Sequence, residues 1–139
     1  DDKYLLGKSD PNNDEFDNLL FAVRNIKKIS IPSNIKVISS YAFENCKNLT
    51  KIKIPPNSNL QTIESNAFRY SNIKDIFIPS NVLKVCENAF NNCENLQIIE
   101  ISEESKLNSF PFSEYFYYSK VIFMIPSSLK NLIHINKPI

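Results

Sequence analysis

Glycine occurs once in the 139 residues, at Gly7, and tryptophan does not occur at all. A phosphate-cradling loop needs several glycines so that backbone amides can approach the ligand, and a Gly-x-Ser-x-Gly nucleophile turn needs two. Neither can be built here. The one histidine, His134, has no second imidazole for a metal centre or a catalytic relay. No catalytic, cofactor or metal residue is assigned, and an enzyme is not expected. Cys46, Cys86 and Cys93 are an odd set that cannot close a disulfide framework. The 16 Lys and Arg nearly cancel the 15 Asp and Glu, which removes the positive field of a nucleic-acid binder. No apolar run approaches the ~18 residues of a membrane span, so direct insertion is not expected of this segment. The chain opens at Asp1 without an apolar leader and reads as a piece of a longer protein.

What is present is a repeat. Ile26-Lys27-Lys28-Ile29-Ser30-Ile31-Pro32-Ser33-Asn34 returns as Leu49-Thr50-Lys51-Ile52-Lys53-Ile54-Pro55-Pro56-Asn57 and as Ile73-Lys74-Asp75-Ile76-Phe77-Ile78-Pro79-Ser80-Asn81. Each copy continues into an Ala-Phe pair, at Ala42-Phe43, Ala67-Phe68 and Ala89-Phe90. Alternation of Ile29 with Ile31, Ile52 with Ile54, Ile76 with Ile78 and Ile99 with Ile101 predicts a short strand in each copy, with Phe123 and Ile125 in a fifth. Proline has no N–H, so Pro32, Pro55, Pro79 and Pro126 end the ladder at one place, with Ser102 as the exception. A second apolar row follows at Ile35/Ile38, Leu60/Ile63, Val82/Val85, Leu107/Phe110 and Leu129/Leu132. Two-residue insertions at Pro56-Asn57-Ser58-Asn59 and Glu103-Glu104-Ser105-Lys106 belong in exposed loops. With so little glycine, turns needing positive φ must use asparagine.

A unit this small cannot bury its own apolar face and must stack on its neighbours. The spacing I-x-I-P, an apolar pair, then A-F-x-x-C/S-x-x-L resembles the BspA-like, treponemal-type class of leucine-rich repeats over about residues 26–135. The resemblance implies an α/β-type, mostly β solenoid: a right-handed coil with one short parallel sheet lining its concave side. Units are placed at about 26–48, 49–72, 73–95 and 96–120, with a partial 121–139, after a capping segment at 1–25. In that segment Phe16, Leu19, Leu20 and Val23 fall at i, i+3, i+4 and i+7, which predicts a short amphipathic capping helix. Asp10-x-Asn12-x-Asp14 begins like a calcium loop but has Glu15 and Phe21 where glycine and glutamate are required. The aromatic run Phe110 to Tyr118 reads either as an enlarged filling of a divergent coil or as an exposed contact patch.

Residues alternating with the inward strand positions face outward. One column reads Lys28, Lys51, Asp75, Ile98, Ile122; its neighbour reads Ser30, Lys53, Phe77, Glu100, Met124. These ten form the candidate partner-binding face, basic at one end and apolar at the other. The family resemblance implies a non-catalytic protein-binding module of a cell-surface or secreted antigen or adhesin, contacting host or extracellular-matrix proteins. A cytoplasmic scaffold or regulatory domain of the same fold is the alternative.

Overall fold

The computed structural model describes residues 3–111 and 119–130. Ten short strands build it: β1 (Tyr4–Gly7), β2 (Asn18–Ala22), β3 (Lys28–Ser30), β4 (Val37–Ile38), β5 (Lys51–Lys53), β6 (Thr62–Ile63), β7 (Asp75–Ile78), β8 (Lys84–Val85), β9 (Ile98–Ile101) and β10 (Ile122–Met124). Among the described residues there is no α-helix, only a 3-10 turn at Ser127–Leu129. The architecture is a mostly β solenoid, with strands at two places in each of the coils that begin with β3, β5 and β7.

The predicted strand row forms, but as two ladders. β3 pairs with β5 in parallel, and β7, β9 and β10 pair in parallel; β5 lies against β7 without joining its ladder. The expected single sheet is therefore divided after the second coil. After each strand the chain turns at one point: the carbonyls of Pro32, Pro55, Pro79, Ser102 and Pro126 each accept a hydrogen bond from the amide three residues on. Serine substitutes at position 102 because the turn uses the carbonyl, which any residue has.

The second row is the more continuous one. β4, β6 and β8 pair in register, Val37 with Thr62 and Lys84, and Ile38 with Ile63 and Val85, within a five-stranded sheet that β1 and β2 complete. The insertions do not disturb it, because each folds around a serine. Ser58 Oγ accepts from the Leu60 amide and Ser105 Oγ from the Leu107 amide, both at 3.1 Å. Ser58 is itself fully buried, contrary to the expectation of a wholly exposed loop: its hydroxyl replaces a partner the lengthened turn would otherwise leave missing.

Between the two rows lies the core. Phe43, Phe68 and Phe90 stack at 5.0 and 5.5 Å with nearly parallel rings, and Phe110 extends the column at 6.4 Å before meeting Phe123 edge-on. Phe110 thus fills the divergent coil; Phe112 to Tyr118 lie outside the described residues. The turns flanking Ala-Phe place Tyr41, Asn45, Asn66, Tyr70, Asn88 and Asn92 at φ of 55 to 62°. Four of the six are asparagine, which tolerates this left-handed region better than most side chains. Cys46, Ser71 and Cys93 form a buried row, with Cys93 Sγ donating to the Phe68 carbonyl at 3.0 Å. Burial pushes the Cys93 thiol up to about 11 and raises that of Cys46, so neither is poised to react.

The N-terminal capping helix is not formed. Residues 18–22 are β2, antiparallel to β1 on one side and parallel to β4 on the other. The β1–β2 register slips between Leu5 and Leu6, leaving Leu20 as an extra residue. This bulge puts Leu19 and Ala22 inward and Leu20 and Phe21 outward, a spacing of three that imitates a helical period. A Cβ on Gly7 would sit 2.7 Å from Leu20 Cδ1, so the lone glycine makes room for the displaced leucine. The cap is locked by Asp17, which is inaccessible to solvent and accepts from the Ser9 amide (2.7 Å), the Ser9 hydroxyl (2.7 Å) and the Asn13 side-chain amide (3.2 Å), with Lys36 Nζ at 3.1 Å. The Ser9 hydrogen bonds, aided by Lys36, hold its carboxyl well below the usual carboxylate range.

Candidate functional site

The strand row fixes which side chains face outward. In β3, β5, β7 and β9 the inward residues Ile29, Ile52, Ile76 and Ile99 are buried, which turns their flanking neighbours outward. The register then aligns them: Lys28 lies beside Lys51 and Ser30 beside Lys53. Asp75, Ile98 and Ile122 form the continuation of one column, and Phe77, Glu100 and Met124 that of the other. Lys28, Ser30, Lys51, Lys53, Asp75, Glu100, Ile122 and Met124 are exposed; Phe77 and Ile98 are half-buried. All ten sequence-derived positions thus lie on the two ladders, four before the break between Lys53 and Asp75 and six after it; the basic members fall in one ladder and the apolar members in the other.

Each ladder carries a groove. The first, about 520 Å³, runs over β3 and β5 and is lined by Lys28, Lys51 and Lys53, with Lys3 and Tyr4 from the N-terminal cap on one side and Asp75 on the other. The second, about 690 Å³, lies at the end of the other ladder, where Phe77, Phe123 and Met124 meet Glu100, Glu103 and Glu104. Among the described residues the only ion pairs are Lys36 with Asp17 and Arg69 with Glu44, so the charges of both grooves stand unpaired. Ile122 is 61% exposed and Met124 52%, an unusual cost in water for two large apolar neighbours.

Lys3, Tyr4, Glu103 and Glu104 are contributions that sequence reasoning missed. The glutamates follow β9 directly, so their place at the strand edge was legible from the insertion. Nothing in the sequence ties Lys3 and Tyr4 to the face, because their position depends on the unexpected hairpin. Among the described residues no group of three or more His, Cys, Asp or Glu side chains is placed to hold a metal ion. His134 lies outside them. Asp10 caps its own turn by accepting from the Asn12 amide at 2.9 Å. Among the described residues no helix is long and apolar enough to cross a membrane.

Six copies of the BspA type leucine rich repeat region match residues 14–134. The chain belongs to this family. Among solved structures it is similar to a leucine rich cell surface protein from Faecalibacterium prausnitzii A2-165, with a TM-score of 0.53 and 26% identity over 58% of this chain. The match spans only 20% of that bacterial protein's length. It is also similar to the leucine rich repeat protein of T. pallidum, with a TM-score of 0.43 and 14% identity over 89% of this chain and 80% of that one. A leucine-rich repeat protein from Bacteroides ovatus ATCC 8483 gives 0.36 and 18% over 91% and 58%. No curated protein matches the chain. The BspA-type match begins at residue 14, ahead of Ile26, in keeping with the parallel pairing of β2 onto β4.

Proposed function

We propose that this chain is a non-catalytic protein-binding module of a cell-surface antigen or adhesin, and that it holds a host or extracellular-matrix protein on the outward face of its strand row. The observation that carries this reading is the apolar end of that face. Phe77 is half-buried in β7 and Met124 exposed in β10, with Glu100 between them in the register and Glu103 and Glu104 lining the same groove, while Ile122 stands exposed in the neighbouring column. Apolar anchors ringed by polar groups are the arrangement in which a few residues carry most of a binding free energy. A surface location is supported by the similarity to the Faecalibacterium protein, which is described as a cell surface protein. The test is binding to an immobilised matrix protein: Phe77→Ala should weaken it by ~2 kcal/mol. Unchanged affinity would remove Phe77 from the interface.

A second reading, an intracellular scaffold of the same fold, is favoured by the cysteines. Cys46, Cys86 and Cys93 are all free, and thiols persist most readily in a reducing compartment. Absence of the protein from the surface of intact cells, tested by labelling without permeabilisation, would move the assignment to this alternative.

A further inference from the structure

We propose that the lysine groove over β3 and β5 is a binding site in its own right, for a short segment of a sulfated polysaccharide. Lys28, Lys51 and Lys53 project from two strands in fixed register, and Lys3 reaches the same groove from the cap. Neighbouring strands are about 4.8 Å apart and alternate residues along one strand about 6.7 Å, so the lysines of β3 and β5 are rooted at separate points able to meet several single charges along a chain. None of the four is ion-paired among the described residues. An anion from outside would relieve the repulsion among them.

The chemistry of the walls selects among anions. Every cation in the lining is a lysine, a compact point charge that meets a three-oxygen sulfate from any side. The floor offers no apolar anchor for a peptide, because Ile29 and Ile52 are only 6% and 7% exposed. Tyr4 supplies an aromatic wall, a surface suited to the C–H face of a sugar ring. Asp75 ends the positive strip in the next strand, which limits the ligand to a segment spanning about two coils. The site shares the sheet face with the protein-binding surface and rests on that face being the one used. It differs in ligand and in residues.

The test uses the full chain and a sulfated heparin hexasaccharide, with its desulfated form and hexaglutamate as comparison ligands, titrated between low and physiological salt. Lys28→Ala/Lys51→Ala should lower affinity for the sulfated hexasaccharide at least ~10-fold and reduce the slope of log affinity against log salt by about 2, one per lost contact. Lys84→Ala/Lys130→Ala makes the same change in net charge at exposed positions outside the groove and should leave binding within ~2-fold. Asp75→Asn should strengthen binding. Phe77→Ala should leave it unchanged, so loss of the protein interaction and loss of the saccharide site are read separately. Equal losses in the two lysine pairs, hexaglutamate binding as tight as the sulfated sugar, or no binding by the folded chain at low salt would each overturn the proposal.

Discussion

The two ladders of the strand row share a backbone path and an inward apolar column, isoleucine in β3, β5, β7 and β9 and Phe123 in β10, yet they present opposite chemistry. β3 and β5 carry Lys28, Lys51 and Lys53 around a groove with one acid. β7, β9 and β10 carry Phe77, Ile98, Ile122 and Met124 beside three glutamates. The frame repeats because every coil must bury the same positions against its neighbours, whereas the outward positions face only water or a partner. What distinguishes one repeat from the next therefore lies in these outward positions. The break between β5 and β7 falls where the charge changes sign.

The largest effect expected is loss of the shared frame. Phe68 is fully buried between Phe43 and Phe90, so Phe68→Ala should cost about 3–5 kcal/mol and weaken both ladders together. Equilibrium denaturation showing a loss below about 1 kcal/mol would mean that the phenylalanine column does not unite the coils.

Next in size is the local loss at one ladder: Phe77→Ala should remove ~2 kcal/mol of protein binding with little change in stability. A smaller effect belongs to the cap. The folded Asp17 carboxyl titrates below its ordinary value of 3.8, so its stabilisation is fully present above that value and is lost as pH falls through it towards the folded pKa. The wild type should exceed Asp17→Asn in stability at neutral pH, and urea denaturation should show the gap narrowing below about pH 4. A gap that stays constant in acid would assign the effect to packing alone. Least of all should the frame notice an exchange of surface chemistry. Lys51→Asp/Lys53→Phe gives β5 the outward residues of β7, and thermal denaturation should place it within about 0.5 kcal/mol of the wild type. A loss above about 2 kcal/mol would show that the outward residues help to specify the coil.

The frame was legible in the sequence because its signals repeat. Alternating isoleucine, the proline after each strand and the Ala-Phe pair agree with one another in successive copies, and the structure realises them in register. Legibility failed where one local event replaced the rule. The bulge at Leu20 converted a strand into an apparent helical period, and only Gly7, on the other strand of the hairpin, hints at it. Ser58 looked like part of a solvated insertion because its value lies in one backbone hydrogen bond, which hydropathy does not register. The break between β5 and β7 leaves no mark, since Ile52 and Ile76 satisfy the same pattern on either side. Both columns of the candidate face were readable from strand alternation. Their division into two grooves, and the addition of Lys3, Tyr4, Glu103 and Glu104, required the coils to be closed in space.

The separation of the two ladders is tested most directly by association and dissociation rates on an immobilised matrix protein, measured for Phe77→Ala and Lys51→Ala at low and high salt. Lys51→Ala should slow association at low salt and match the wild type at high salt, because exposed charge steers encounter and is screened. Phe77→Ala should speed dissociation by an amount that persists at high salt, because loss of an apolar anchor is not screened. Equal losses in both variants, each abolished by salt, would contradict a division of labour and leave only diffuse charge attraction across the face.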